Sequence, residues 1–354
     1  MYVQMRYGSA WLDLPNLIPA ITKNPGMDTR FFTLVIDDVT PATISREGHL
    51  VRVVRKAVRL GLDPVTALQM ATINAAQMLE QGQWIGSLTP GRAADILVVD
   101  SLSGFEIAQV YTDGTLVAEH GHMAVDIPGY QYPEWAVNTV HLDPLSEHDF
   151  KIACSANPGV TARVIQLIPG SVNTVSRTEN MQVTNGQILA DPQKDIAKAA
   201  MFFRHKPGNG AENSRSLGLV SGTGFKKKSA YASTVSHDCH NLLVVGTDDA
   251  AMSLAANTLI DSRGGIAVVD SGRVLAHLAL PFGGLMSLGS METAAKQVCD
   301  IETAMQQIGC PHPAFEMTMS LIGLVVLGEL RLSNRGLVEM KDGNPPKLVD
   351  LFMS

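Results

Sequence analysis

Apolar positions along this chain come in short runs whose period changes from segment to segment. Residues 31–36, FFTLVI, form a run of strand formers that stops abruptly at Asp37, Asp38 and Pro41. That is the pattern of a buried strand with acids at its C-terminal tip. Over residues 50–60, Leu50, Val53, Val54, Ala57 and Val58 recur at helical spacing until Gly61. Asp63 and Pro64 then supply an N-cap and a first helical position, which predicts a second helix over residues 65–79. A small β unit follows, with a strand at 94–100 and a hairpin over 109–118 that turns at Asp113 and Gly114. Residues 121–150 hold Pro, Gly, Tyr and His without a sustained period and read as a linker. Beyond it, strands at 242–246 and 265–269 alternate with helices that open at Thr247 and Asp248 and cover 291–308 and 314–328. This predicts a second α/β or α+β domain.

With 354 residues, 45% apolar and 17% charged, the chain has room for two or three domains with substantial cores. No run approaches the roughly 20 apolar residues that span a bilayer. Residues 1–14 carry Arg6 and Asp13 and lack the apolar stretch of a signal peptide. A membrane partner is therefore not expected. Cys154, Cys239, Cys299 and Cys310 are scattered without CxxC spacing, which argues against a disulfide framework or a zinc knuckle and points to a reducing cytoplasm. The net charge is −7, and the basic run KKK at 226–228 is short and free of aromatics, so a nucleic-acid partner is not expected either.

Two segments carry candidate chemistry. Asp37 ends a buried strand, where barrel enzymes place catalytic groups, and adjacent acids on an extended chain point to opposite faces. The same pair before Pro41 also reads as a turn and helix-cap signal. The segment HDCHN at 237–241 sets two imidazoles three residues apart around an acid and a thiol, groups that can ligate a metal or shuttle protons. It also reads as a hydrogen-bonded turn before the strand at 242. SGTGFK at 221–226 lacks the GxxxxGK[ST] spacing of a phosphate loop, and Asp248 and Asp249 read as a helix cap.

In combination these segments resemble a known family. TINAA at 72–76, GSLTPGRAADI at 86–96 and VAEHG at 117–121 are similar to the C-terminal signature of the amidohydrolase superfamily. MR at 5–6, GSA at 8–10, the pair Asp37 and Asp38, EGHL at 47–50, STVSHDCHN at 233–241 and LMS at 285–287 resemble, in that order, the adenine deaminase family. The resemblance covers nearly the whole chain. It implies an α/β fold class. A partial (β/α)8 TIM-like barrel, its C-terminal segment, takes residues 1–83, and a small β-sandwich takes 84–130. A linker over 131–150 then leads to an α/β (α+β) C-terminal domain over 151–354.

The resemblance further implies metal-dependent hydrolytic deamination of adenine to hypoxanthine and ammonia. In it Asp37 is the catalytic aspartate of the last barrel strand, which binds a divalent metal, Mn2+ or Fe2+, in a two-metal centre and takes a proton from the attacking water. His237 and His240 are implied as substrate-binding residues. The chain departs from the family pattern at Val35 and Ile36, where the family has Cys-Thr, and at Tyr7, where it has Glu. The family's upstream HxH and the metal ligands of its middle strands have no counterpart in the sequence. A few last strands leave an exposed sheet edge, so the expected partners are a complementing N-terminal segment or further copies of the chain in a homo-oligomer, besides adenine itself. The alternatives are an amidohydrolase acting on a cyclic amide and a non-catalytic remnant or subunit.

Overall fold

The computed structural model describes residues 1–156, 158–205, 215–312, 314–340 and 344–353. It divides into two compact units, Met1–Gln131 and Tyr132–Ser354.

In the first unit, β1 (Val3–Arg6) and β2 (Phe32–Val35) pair in parallel, with Met5 opposite Leu34 and Arg6 opposite Val35. Alternation puts Met5 and Leu34 in a core with Val53, Val54 and Ala57 of helix Leu50–Arg59 and with Ala67 and Met70 of helix Pro64–Ala71. Arg6 and Val35 take the opposite face, and Asp37 follows in the same alternation. The helix expected over 65–79 is two helices, Pro64–Ala71 and Ile73–Met78. The chain breaks at Thr72, whose hydroxyl donates to the Leu68 carbonyl at 2.6 Å. The break turns Asn74 so that its amide donates to the carbonyls of Thr29 (2.9 Å) and Phe32 (3.0 Å), tying down the start of β2. The described residues of this unit contain one parallel pair of strands and no closed barrel.

The strands β3 (Ile96–Val99), β4 (Ile107–Thr112), β5 (Thr115–Glu119) and β6 (His122–Met123) form one antiparallel sheet. Its hairpin turns where expected, with φ of 51° at Asp113 and 78° at Gly114, the pair of positive values a tight two-residue turn demands. The expected sandwich is here a single sheet. A sandwich buries one face of each sheet, whereas no residue of these four strands is buried, and Leu97 and Val98, on opposite faces, are 56% and 41% exposed.

The second unit is built on a ten-stranded sheet. Its strands are β7 (Ile152–Ala153), β8 (Gly159–Leu167), β9 (Thr174–Thr184), β10 (Gln187–Ile188), β11 (Ile196–Phe202), β12 (Arg215–Ser221), β13 (Ser229–Ser233), β14 (Leu242–Gly246), β15 (Gly265–Asp270) and β16 (Arg273–Ala279). They lie in the order β16-β15-β13-β14-β11-β12-β8-β9-β10-β7 and run antiparallel except for β8 beside β12. Every residue of β11, β13 and β14 is buried. On one face Ala200, Phe202, Ala230 and Val244 pack on Met252, Ala255 and Leu259 of helix Asp249–Asp261. On the other, Tyr231 meets Phe315 edge-on at 6.0 Å. The helix starts at the expected cap, with the Ala251 amide donating to Asp248 Oδ1 at 3.0 Å.

Two expectations fail here for local reasons. Residues 132–150, read as linker, pack into this unit, with Phe150 fully buried 5.4 Å from the Phe202 ring and Asn257 accepting from the Leu145 amide at 2.8 Å. Their apolar anchors are irregularly spaced and show no period. The helix expected over 314–328 is only Phe315–Ser320 followed by a tight turn at Leu321–Gly323. Buried Arg331 takes the carbonyl of Leu321 (2.5 Å), which a longer helix would use, and also that of Leu327 (2.8 Å). No described helix is long and apolar enough to cross a membrane.

Candidate active site

The two acids after β2 divide the work between them. Asp38 builds the neighbouring loop: its Oδ2 accepts the Ala10 amide at 2.5 Å and its carbonyl accepts the Ser9 amide at 2.5 Å. Its Oδ1 is buried without a hydrogen-bond partner, and burial raises its pKa. A Cβ on Gly8 would stand 1.9 Å from that oxygen, so the loop admits only glycine there. Ser9 donates to Thr43 Oγ1 at 2.9 Å and accepts the Thr40 amide at 3.1 Å, fixing the loop to the following helix.

Asp37, at φ 60°, is left facing outward with its side chain 46% exposed. Arg6, at the tip of the neighbouring strand, donates from Nη1 to Asp37 Oδ2 at 2.9 Å. From Nε and Nη2 the same guanidinium reaches Asp13 Oδ2 at 2.7 and 2.5 Å. Burial works against the Arg6 charge, but hydrogen bonds to Asp37 and Asp13 outweigh it and raise its pKa. Tyr7 explains one departure from the family pattern. Its ring lies under the guanidinium of Arg52 (4.5 Å) and the ammonium of Lys56 (5.8 Å), on the helix side of the sheet and away from Asp37. A tyrosine there meets two cations through its π face.

In the second unit, β11 and β14 pair with Phe202 opposite Leu242. The chain leaving β11 therefore runs beside the chain entering β14, which brings Arg204 and His205 next to His240 and Asn241. The amide of His240, at φ 47°, donates to the Ser236 carbonyl at 2.6 Å. This tight turn, neither helix nor strand, brings the His237 and His240 rings to 5.5 Å between centroids. The His237 amide donates to Ser320 Oγ at 3.1 Å, and His240 Nδ1 is buried without a partner.

Arg204, 1% exposed, donates to the carbonyls of His240, Thr139 (3.1 Å) and Gly283 (2.9 Å) and to the Thr139 hydroxyl (2.7 Å). Burial brings its pKa down to about 10. His205, which the sequence reading missed, donates from its ring to the Cys239 backbone carbonyl. Burial first, then the Arg204 charge, lowers the pKa of His205; burial, His237 and Arg204 lower that of His240. The signal available in the sequence was Phe203-Arg204-His205, a polar end to an apolar strand that mirrors HDCHN at the start of another.

The glycine-rich loop after β12 is filled from within. The Asp195 carboxylate accepts the amides of Gly222 at 2.7 Å and Gly224 at 2.8 Å, so a side chain holds the place that a phosphate takes in anion-binding loops. As for a metal, among the described residues no group of three or more His, Cys, Asp or Glu could hold one. A dedicated zinc-type site takes three or four protein donors. Asp37 is a single carboxylate already paired with Arg6, so the described donor set does not fit a metal by itself.

Comparison with known proteins places these features. Residues 171–344 match the adenine deaminase C-terminal domain and residues 16–117 match the amidohydrolase family, whose members are generally metal-dependent. The adenine deaminase of Clostridium botulinum (strain Langeland) is 43% identical over 354 residues, which is 100% of this chain and 58% of that protein. The adenine deaminase of Moorella thermoacetica is 43% identical, with 99% of this chain and 58% of that protein covered. The one from Mesorhizobium japonicum is 39% identical, covering 100% and 57%. A solved amidohydrolase structure from Thermotoga maritima MSB8 aligns at 19% identity over 33% of this chain and 37% of that one, with a TM-score of 0.20, and carries no weight for the fold. The chain belongs to the adenine deaminase family of the amidohydrolase superfamily and spans about 58% of the length of relatives such as that of C. botulinum.

Proposed function

We propose that the chain takes part in the hydrolytic deamination of adenine to hypoxanthine and ammonia, with Asp37 as the proton acceptor and His237 and His240 as substrate-binding residues. The observation that carries this reading is the setting of Asp37, in a chain matched end to end by proteins named adenine deaminase. It stands at the C-terminal tip of a parallel strand, half-exposed, with Oδ2 held by Arg6. A carboxylate so held can accept a proton from water as the water oxygen adds to the ring carbon bearing the amino group. The carbon–nitrogen bond then breaks and the proton leaves with ammonia. Because the described donor set does not fit a metal, the manganese or iron implied by the resemblance would need ligands beyond those the described residues bring together.

The test is a reconstitution. The chain is purified alone and mixed with the remaining portion of the C. botulinum relative, Mn2+ is added, and ammonia release from adenine is followed. Activity in the verified assembly, abolished by Asp37→Asn, is the expected result. An assembled complex that releases no ammonia would overturn the proposal, and full activity with Asp37→Asn would overturn the role of Asp37.

A further inference from the structure

We infer that a cavity in the second unit, at the far end of β11 and β14 from the turn carrying His237 and His240, binds a phosphorylated small molecule whose organic body donates a hydrogen bond. The inference is independent of the deamination reading.

The strands β11 and β14 pair with Phe202 opposite Leu242 at one end and Lys198 opposite Gly246 at the other. At the Lys198 end lies a cavity of about 520 Å³, a size that suits a small molecule. Four of the chain's twelve lysines, Lys151, Lys198, Lys227 and Lys228, line it. That reverses the sign locally in a chain of net charge −7.

The lysine run at 226–228 is fixed from three sides. The Lys226 carbonyl accepts the hydroxyls of Ser229 and Thr247, each at 2.6 Å, and the Lys228 carbonyl accepts the Ser271 amide at 2.9 Å. Lys226 sends its ammonium to the Gln307 carbonyl at 2.8 Å, while Lys227 and Lys228 line the cavity. The acids of the lining are Glu147, Asp248 and Asp249. Asp248 is spent on the Ala251 amide (3.0 Å), so the helix start is closed by its own cap, and Asp249 is spent on Lys198 (2.6 Å). Among the lining residues, Glu147 is the one acid left against Lys151, Lys227 and Lys228.

Gln187, on the same wall, defines the rest of the ligand. Its Oε1 is buried and receives no hydrogen bond, an exception that native structures rarely leave unexplained. Lysines hold a phosphate as point charges. A carbonyl oxygen needs an N–H or O–H instead, which the ligand's body must bring. Leu189, Ala190 and Pro192 give that body an apolar surface.

Calorimetric titration of the full chain with adenosine monophosphate, inorganic phosphate and adenosine separates charge from body. The monophosphate should bind saturably, with inorganic phosphate competing about tenfold more weakly and adenosine weaker by about tenfold or more. Lys227→Gln combined with Lys228→Gln, at exposed positions, should leave the fold intact and weaken both phosphate-bearing probes about tenfold. Gln187→Leu removes the unpaired oxygen at similar volume, so the variant should fold at least as stably. It should weaken the monophosphate about tenfold and leave inorganic phosphate unchanged. No saturable binding of either phosphate probe would overturn the inference, as would adenosine binding as tightly as its monophosphate or undiminished binding by the double lysine variant. Indifference of the monophosphate to Gln187→Leu would overturn it equally, by reducing the site to a patch of charge.

Discussion

Lys198 is 2% exposed in the middle of β11, a strand buried residue for residue. Its ammonium is held by Asp249 Oδ1 at 2.6 Å and by the Phe150 carbonyl at 3.1 Å. The two partners are not equally dependent on each other. Asp249 is 15% exposed and stands in the first turn of helix Asp249–Asp261, where the helix dipole favours a negative charge by about 0.3–1 kcal/mol even without the lysine. Lys198 has no such alternative. Asp249→Ala should therefore strand a buried charge and cost about 3–5 kcal/mol, whereas Lys198→Met, close in volume, should cost little or be stabilising. The double variant should return close to the parent, giving a coupling of about 3 kcal/mol between the sites. Because the chain has two units, global unfolding is a poor reporter. Hydrogen exchange of peptides covering β11 and β14 reads the second unit directly, and a loss of 3 kcal/mol appears there as opening about 150-fold more frequent. Equal costs for the two single variants, or additive costs in the double, would refute the reasoning.

Three further outcomes follow from the same kind of argument. Gly8→Ala should drive a methyl group into Asp38 and cost about 1–3 kcal/mol, seen as faster proteolysis of the loop after β1, while resistance equal to the parent would contradict the close approach. Asp37→Asn, by contrast, alters a half-exposed side chain and should change stability by less than about 0.5 kcal/mol; unfolding of the first unit by this substitution would mean that Asp37 is structural. The pKa values of His205, His240 and His277 are lowered chiefly by burial from a reference of 6.5, so the unfolded chain binds protons more readily than the folded one. Stability from these groups is present above about pH 6.5 and is lost as pH falls through the lower folded values. Melting temperatures should thus drop between about pH 7 and pH 5, and His277→Asn should flatten part of that slope; an unchanged slope would count against His277 as a contributor.

How much of this was legible in the sequence depended on whether the signal was local. The strand before Asp37, the helix after Pro64, the turn at Asp113 and Gly114 and the cap at Asp248 rest on contacts between near neighbours, and each appears where the pattern put it. Two of the misses involve partners distant in sequence. Asn74 breaks a helix to reach Phe32, and Phe150 finds Phe202 across the fold. No window on the sequence contains both members of such a pair.

The candidate site shows the same division more sharply. HDCHN announced itself as a cluster of reactive types, but a helix or an extended strand would each have arranged its imidazoles differently, and the observed turn depends on Arg204, which lies 36 residues upstream of His240. His205 was passed over because a lone histidine after an apolar strand is unremarkable until the register of β11 against β14 is known. Asp37 and Asp38 look interchangeable in the sequence, and the distinction between them comes from Gly8 and Arg6 on the neighbouring strand. Pairing of strands is what turns a list of reactive residues into a site, and it also decides which of two adjacent acids remains free to do chemistry.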